Sequence, residues 1–253
     1  MRARTLAWGA GLGLAALAAL LAPSSAARAE EARPLKIGIV GAGRIGGSLA
    51  SLWAKAGHEV LVSSRHPDQL GDLVKSLGPK ARAGTPREAA VFGDVVLVSV
   101  PYAALPQIGR DLAKELSGKV VLDTGNPYPQ RDGEMAEEAR RKGTGVASAE
   151  LLPGVRLVRA FNAINWRSLQ SEAHRSGKPI AIPIAGDDAE ALRVATRLVK
   201  DAGFEPVVVG PLSRARLFDV GTPVYTQLLT ADELRARLGL PEAAAPGGAA
   251  RPR

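Results

Sequence analysis

The sequence predicts an α/β fold: a doubly wound parallel sheet with a small α/β lobe at its C-terminal end. Two observations predict it. Leu35 to Ser64 reads strand, glycine-rich turn, helix and strand without interruption. From Asp94 to Val209, apolar strands keep alternating with helical segments, as in a sheet covered by helices on both faces. A chain of 253 residues is long enough for one such domain with a lobe.

Leu35 to Val40 is apolar and partly β-branched, which predicts a strand, and Gly41-Ala42-Gly43-Arg44-Ile45-Gly46 follows with G-x-G-x-x-G spacing. Ser48 to Ala56 reads as a helix with Leu49, Leu52 and Trp53 on one face, and Glu59 to Ser64 as the second strand. Asp94 to Val100 is a buried strand bounded by Pro101, Leu105 to Leu116 a helix, and Lys119 to Asp123 a strand ended by Thr124-Gly125-Asn126-Pro127. Glu134 to Lys142 is a polar helix, and Val155 to Ala160 a strand running into Phe161-Asn162. Ile180 to Ala185 is closed by Gly186-Asp187-Asp188, and Ala189 to Ala202 is amphipathic with Leu192, Ala195, Leu198 and Val199 inward. Phe204 to Val209 is the last strand, and Ser213 to Leu229 reads as helical with interruptions at Gly221 and Pro223. The expected division is 1–29 as a signal peptide or membrane anchor, 30–146 as the dinucleotide-binding domain, 147–240 as the small C-terminal lobe, and 241–253 as a disordered tail rich in Pro, Gly and Ala.

Residues 1–29 carry Arg2 and Arg4, an apolar core from Leu6 to Ala22, and Ala27-Arg28-Ala29 before Glu30. That pattern predicts export to the periplasm, with an uncleaved anchor as the alternative. The formal charge of +8 includes three arginines of this segment; +8 less those three leaves +5, interspersed with acids, and no basic tract for nucleic acid. The chain has no cysteine, which excludes disulfides, thiolate ligands and a cysteine nucleophile. His58 reads as a structural turn residue and His174 as solvated; the three histidines lack metal-ligand spacing. No residue stands out as a catalytic acid, base or nucleophile.

Each glycine of the turn has a mechanical job. Gly41 permits the tight turn, Gly43 lets the backbone approach a pyrophosphate, and Gly46 lets the helix pack on the strand; the free N–H groups at the start of that helix then hold phosphate. This is the Rossmann fingerprint, with Ala42, Arg44 and Ile45 filling the loop. Where a site for NAD places an acid, the second strand here ends in Ser63, Ser64, Arg65 and His66. Hydroxyls and a guanidinium accept a 2′-phosphate that a carboxylate would repel, so the expected cofactor is NADP(H). His66 either touches that phosphate or faces water. Val100, Pro101, Asn126 and Pro127 leave strand ends on the path to the nicotinamide, where Asn126 either orients the carboxamide or serves the turn. Tyr102, Tyr128, Phe161, Trp166 and Tyr225 either line an acceptor pocket or pack the core, with Phe161 and Tyr128 the stronger pocket candidates.

Further blocks carry a family likeness. Val158 to Ile164, Ile182 to Asp188, and Gly210-Pro211-Leu212 with Arg216-Leu217, Asp219 and Thr222-Pro223 resemble the F420H2:NADP+ oxidoreductase family and the related reductase domain of the STEAP ferric reductases. The likeness runs from about Leu35 to Leu229. The resemblance implies a Rossmann domain and a small lobe with an acceptor cleft between them. It also implies hydride transfer between the nicotinamide and a small-molecule acceptor, F420 or a flavin, in a homodimer. It places Ser64 and Arg65 at the 2′-phosphate, and Pro101, Asn126, Pro127, Phe161 and Asn162 near the nicotinamide. The signal-like N-terminus departs from cytoplasmic members, and no counterpart of the STEAP membrane domain is present. Two other readings stand beside this one: another NADP-dependent reductase of a small substrate, and a non-catalytic NADP(H)-binding module.

Overall fold

The computed structural model describes residues 33–242; the signal-like segment 1–29 and the tail from Ala243 lie outside them. The strands are β1 (Lys36–Val40), β2 (Glu59–Ser63), β3 (Ala81–Gly84), β4 (Val95–Val98), β5 (Val120–Asp123), β6 (Arg156–Arg159), β7 (Ala181–Gly186) and β8 (Glu205–Gly210). The helices are α1 (Arg44–Lys55), α2 (Gly71–Leu77), α3 (Pro86–Phe92), α4 (Leu105–Asp111), α5 (Ala113–Leu116), α6 (Pro129–Asp132), α7 (Glu134–Lys142), α8 (Thr144–Leu151), α9 (Trp166–Ser171), α10 (Ala189–Asp201) and α11 (Ala231–Leu238). The strands form one sheet in the order β3-β2-β1-β4-β5-β6-β7-β8.

The inner strands are apolar on both sides, as a doubly covered parallel sheet requires. Alternate residues go to opposite faces. Ile37, Ile39, Val95, Leu97 and Leu122 join Leu49 and Trp53 of α1 and Leu198 of α10 in one cluster. Val96, Val98 and Val121 join Leu105, Leu116 and Leu152 in the other. Trp53 is fully buried and donates its indole N–H to the Leu198 carbonyl at 2.8 Å, which satisfies the one polar atom that its burial would otherwise strand.

Register aligns the strand ends. Ser63 pairs with Val40, Val40 with Val98, Val98 with Asp123, and Asp123 with Arg159. The loops after β1, β2, β4, β5 and β6 therefore leave the sheet at one level. The chain then departs from the expected all-parallel pattern. β7 runs antiparallel to β6, and the ladder between them joins only Val158–Gly186 and Arg159–Ala185. The rest of β7, with β8 parallel to it, projects past the carboxyl end of β6. The segment 147–240 thus continues the sheet of 30–146, and the expected boundary falls inside α8.

Two expected helices are corrected. Leu105 to Leu116 breaks at Leu112, whose φ of −113° and ψ of 13° leave the helical region. Ser213 to Leu229 is a 3-10 segment over Leu212–Phe218 and then a non-helical run. Gly221 at φ +87° and Thr226 at φ +58° cannot continue a right-handed helix, and Pro223 supplies no N–H. The helix comes later, as α11, with a Thr230–Glu233 capping box.

A buried ion group ties this frame together. Arg159 and Asp123 are both fully buried, with Arg159 Nη1 2.7 Å from Asp123 Oδ2. Arg159 Nη2 lies 3.6 Å from Asp219 Oδ1, and Asp219 Oδ2 accepts the Thr144 N–H at the start of α8 at 3.0 Å.

His58 is 2% exposed; its Nδ1 accepts the Leu35 N–H at 3.0 Å, so Nε2 donates to Asp201 at 2.9 Å. Burial holds the ring below its ordinary value of 6.5, with Arg197 and Lys80 acting in the same direction and Asp201 against them. A depressed pKa in the folded state means that the contribution of the neutral ring is complete above the unfolded value and is lost as pH falls through the folded one. Melting temperature is therefore expected to decline as pH falls below about 6.5, the unfolded value, and His58→Gln to flatten that decline while lowering the midpoint throughout. An unchanged slope in the variant would remove His58 from the acid response.

Candidate active site

The turn after β1 has the geometry of a phosphate cradle. Gly41 sits at φ +101°, and a Cβ there would lie 2.3 Å from the Ser99 carbonyl oxygen. A Cβ on Gly46 would lie 2.1 Å from the Gly41 oxygen, so α1 packs against the turn as closely as a backbone allows. A Cβ on Gly43 would meet nothing within 4 Å. Gly43 is the N-cap of α1 and no side chain caps that helix, so its first N–H groups face the open space that Gly43 leaves. Anionic oxygen is the group that such a helix end binds. Ala42 donates to the Ser63 carbonyl at 3.0 Å, which fixes the loop against β2.

At the end of β2 the predicted residues separate. Ser63 is fully buried and donates its hydroxyl to the Ile39 carbonyl at 2.8 Å; it pins β2 to β1 and presents nothing to a ligand, a correction to the sequence expectation. The Ser64 hydroxyl accepts the His66 N–H at 3.1 Å. Arg65 and His66 are exposed, and Arg65 has no ion-pair partner among the described residues.

The aligned strand ends open into a cavity of about 400 Å³. Gly43, Arg44 and Ile45 form one side of it, Val100, Pro101 and Asn126 the middle, and Asn162, Tyr128 and Tyr225 the far side. Pro127 is buried and is not part of the lining. Phe161 borders the cavity as expected, but its ring is 1% exposed and packs edge-on against Trp53 at 6.1 Å and Phe204 at 6.5 Å. Its backbone lies at φ +59°, an unfavourable conformation for a bulky residue that costs roughly 1–3 kcal/mol. That turn sends the ring into the core and brings Asn162 to the cavity wall.

The polar groups of the cavity are mostly committed to one another. Asn126 Nδ2 donates to the Asn162 carbonyl at 2.8 Å and the Tyr225 hydroxyl at 3.3 Å. Asn162 Nδ2 donates to the Phe218 carbonyl at 3.1 Å. The Oδ1 atoms of both asparagines are buried without a donor, which leaves two acceptors for an N–H that the protein does not supply. Tyr128 and Tyr225 hydroxyls are 2.5 Å apart; burial, then Tyr128, push the Tyr225 phenol above its ordinary range.

Several residues here escaped the sequence reading. Arg131 donates to the Asn126 carbonyl at 2.7 Å and lies 5.1 Å from the Tyr128 ring centroid. Asp132 accepts from the N–H groups of Tyr128 and Ala103, tying the β5 and β4 loops. Burial alone would raise its carboxyl, but Arg131 and those two N–H groups outweigh it and hold the group below the carboxylate range. Trp166, a pocket candidate from the sequence, has Arg44 at 5.0 Å and Arg167 at 4.9 Å from its ring centroid. It borders both this cavity and a second one, of about 680 Å³, along the outer side of α1. A cation–π stack has no sequence signature at a separation of 122 residues.

Residues 36–127 match the family model described as NADP oxidoreductase, coenzyme F420-dependent. Metalloreductase STEAP3 of Rattus norvegicus is 31% identical over 72% of this chain and 35% of its own length. The chain thus spans about a third of the STEAP metalloreductases it matches. F420-dependent NADP reductase of Methanothermobacter marburgensis is 27% identical over 79% of this chain and 95% of its own length. Among solved structures, the hypothetical protein SMa0349 of Sinorhizobium meliloti is 25% identical, covers 79% of this chain and 97% of itself, and superposes with a TM-score of 0.66. The likeness to the coenzyme F420-dependent NADP oxidoreductase family is thus carried by the Rossmann segment, residues 36–127.

Proposed function

We propose that the protein is an NADP(H)-dependent oxidoreductase that passes a hydride between the nicotinamide and a flavin-like ring, either coenzyme F420 or a flavin. The observation that carries this reading is the open cradle at Gly43 leading directly into a cavity lined by the ends of β1, β4, β5 and β6. The residues fit the cofactor: the bare N-terminus of α1 takes pyrophosphate, and Arg65 with Ser64 stands where a 2′-phosphate would lie. Bound NADPH supplies the hydride. The chain's own share is to hold the two rings in register and exclude water, because hydride transfer between stacked rings asks mainly for position.

Gly43→Val fills the cradle, and the Cβ it adds meets no atom within 4 Å. It is expected to abolish NADPH binding in calorimetry while thermal melting stays cooperative; retained affinity would show that phosphate binds elsewhere. Arg65→Ala removes a charge-assisted contact worth about 1.5–3 kcal/mol, so NADPH should weaken about tenfold or more and NADH hardly at all. Equal losses for both cofactors would reject the 2′-phosphate assignment. Stopped-flow oxidation of NADPH with coenzyme F420, FMN and riboflavin tests the reaction, and no turnover with any of them would overturn it.

A further inference from the structure

The cavity holds one hydroxyl proton more than the protein accepts. Tyr128 and Tyr225 oxygens lie 2.5 Å apart, so one hydroxyl donates to the other. Asn126 Nδ2 already donates to the Tyr225 oxygen. Each phenol has a single O–H. If Tyr128 donates across the pair, the Tyr225 proton has no acceptor among the described residues; if Tyr225 donates, the Tyr128 proton has none. Both rings line the same cavity, so the surplus proton is available there to water or to a ligand.

The pair is held firmly. Thr226, next to Tyr225, sits at φ +58°, a conformation that a β-branched residue adopts only when its surroundings enforce it. Its N–H donates to the Ala163 carbonyl at 2.9 Å and its hydroxyl to the Tyr225 carbonyl at 2.7 Å. Tyr128 donates its N–H to Asp132 at 2.9 Å and lies under the Arg131 guanidinium. The titratable side chains of the lining are Arg44, Arg131, Tyr128 and Tyr225. Guanidinium does not release its proton near neutral pH, so the two phenols are the acids that the cavity contains. Arg131, 5.1 Å from the Tyr128 ring centroid, favours a transient phenolate on that residue.

Resting on the hydride-transfer reading above, we propose that the Tyr128–Tyr225 pair delivers the proton that a neutral carbonyl-bearing ring, of the flavin, deazaflavin or quinone class, takes up along with the hydride. The C–H bond at the reduced nicotinamide breaks and its electron pair leaves with the hydrogen, oxidising NADPH to NADP+. A new bond to hydrogen forms on the acceptor ring, and the charge so delivered collects on a conjugated nitrogen or carbonyl oxygen. Tyr225 gives its O–H proton to that atom and takes the proton of Tyr128, which water at the cleft restores. The acceptor gains one hydride and one proton, and the pair ends as it began.

The test uses the full chain with NADPH and riboflavin or menadione as probes. The wild type should reduce them with a normal solvent deuterium isotope effect. Tyr225→Phe should slow the reduction about a hundredfold, abolish the isotope effect, and raise the riboflavin Kd, read from flavin fluorescence without cofactor, about tenfold. Tyr128→Phe should also slow reduction, and the double variant should be no slower than Tyr225→Phe, because both interrupt one relay. Wild-type rates in Tyr225→Phe, additive losses in the double variant, or equal loss of NADPH and riboflavin affinity (the mark of a merely structural role) would overturn the proposal. If the wild type reduces neither probe, nor coenzyme F420 or FMN, the hydride reading fails. The riboflavin Kd of Tyr225→Phe then still decides whether the hydroxyl pair contacts such a ring, and an unchanged Kd rejects that contact as well.

Discussion

The Asp123–Arg159 pair is the constraint around which the cleft is assembled. Both side chains are fully buried, at the point where β5 and β6 end and their loops begin. Charges removed from water are tolerated only when each is matched, and losing one partner of such a pair costs about 3–5 kcal/mol. The matching here reaches three parts of the chain. Asp123 also accepts the Gly125 N–H at 2.7 Å, which starts the turn toward Asn126. Arg159 reaches toward Asp219, and Asp219 holds the first N–H of α8. Arg159 Nε and Nη2 have no hydrogen-bond partner at short range, so the guanidinium is only partly satisfied. A buried charge in that condition favours the one arrangement that keeps both carboxylates close, and that arrangement sets where Asn126, Asn162 and Tyr225 can stand.

The second constraint is topological. A parallel β7 would have covered the sheet edge and left the strand ends open to solvent. Because β7 runs back against β6 with a two-residue overlap, the β7–β8 pair stands beyond the ends of the other strands. The segment after β8 can then reach over the cavity and supply Tyr225 and Thr226 to its wall. Ligands of open α/β sheets bind beyond the carboxyl ends of the strands; here the chain builds a wall at that place. The positive-φ residues Phe161 and Thr226 lie where the chain enters and leaves this wall, which is where local strain is compensated by surrounding contacts.

Much of this was legible in the sequence because it is local. The glycine spacing of Gly41, Gly43 and Gly46 encodes a turn and a close helix approach that involve neighbouring residues only. The apolar runs of β1, β4 and β5 report burial on both faces without reference to what covers them. What was not legible depends on distant partners. Ser63 looks like a phosphate ligand from its position, and only the register with β1 shows that its hydroxyl belongs to Ile39. Phe161 follows a strand end, as a cleft residue would, but its backbone conformation turns the ring inward. The reversal of β7 has no local mark, since its composition suits either direction. The short segments over Gly71–Leu77, Ala81–Gly84 and Pro86–Phe92 lack enough apolar period to announce themselves, although Thr85 and Glu88 form a capping box.

The distribution of committed and uncommitted polar atoms separates the two halves of the site. On the Rossmann side, the donors left open are backbone N–H groups and an exposed guanidinium, all of which suit phosphate. These select a cofactor by charge and are indifferent to the ring that it carries. Beyond β5 the open group is of another kind: one phenolic proton of the Tyr128–Tyr225 pair, in a cavity bordered by Arg44 and Arg131. Neutral hydrogen-bonding groups in a confined space discriminate by geometry, since an unmatched buried donor or acceptor costs about 1–3 kcal/mol. On the proposed reading, affinity for the dinucleotide rests on residues 36–66. The choice of reaction partner then rests on the segment from Asn126 to Thr226, which the fold closes over the strand ends because β7 turns back.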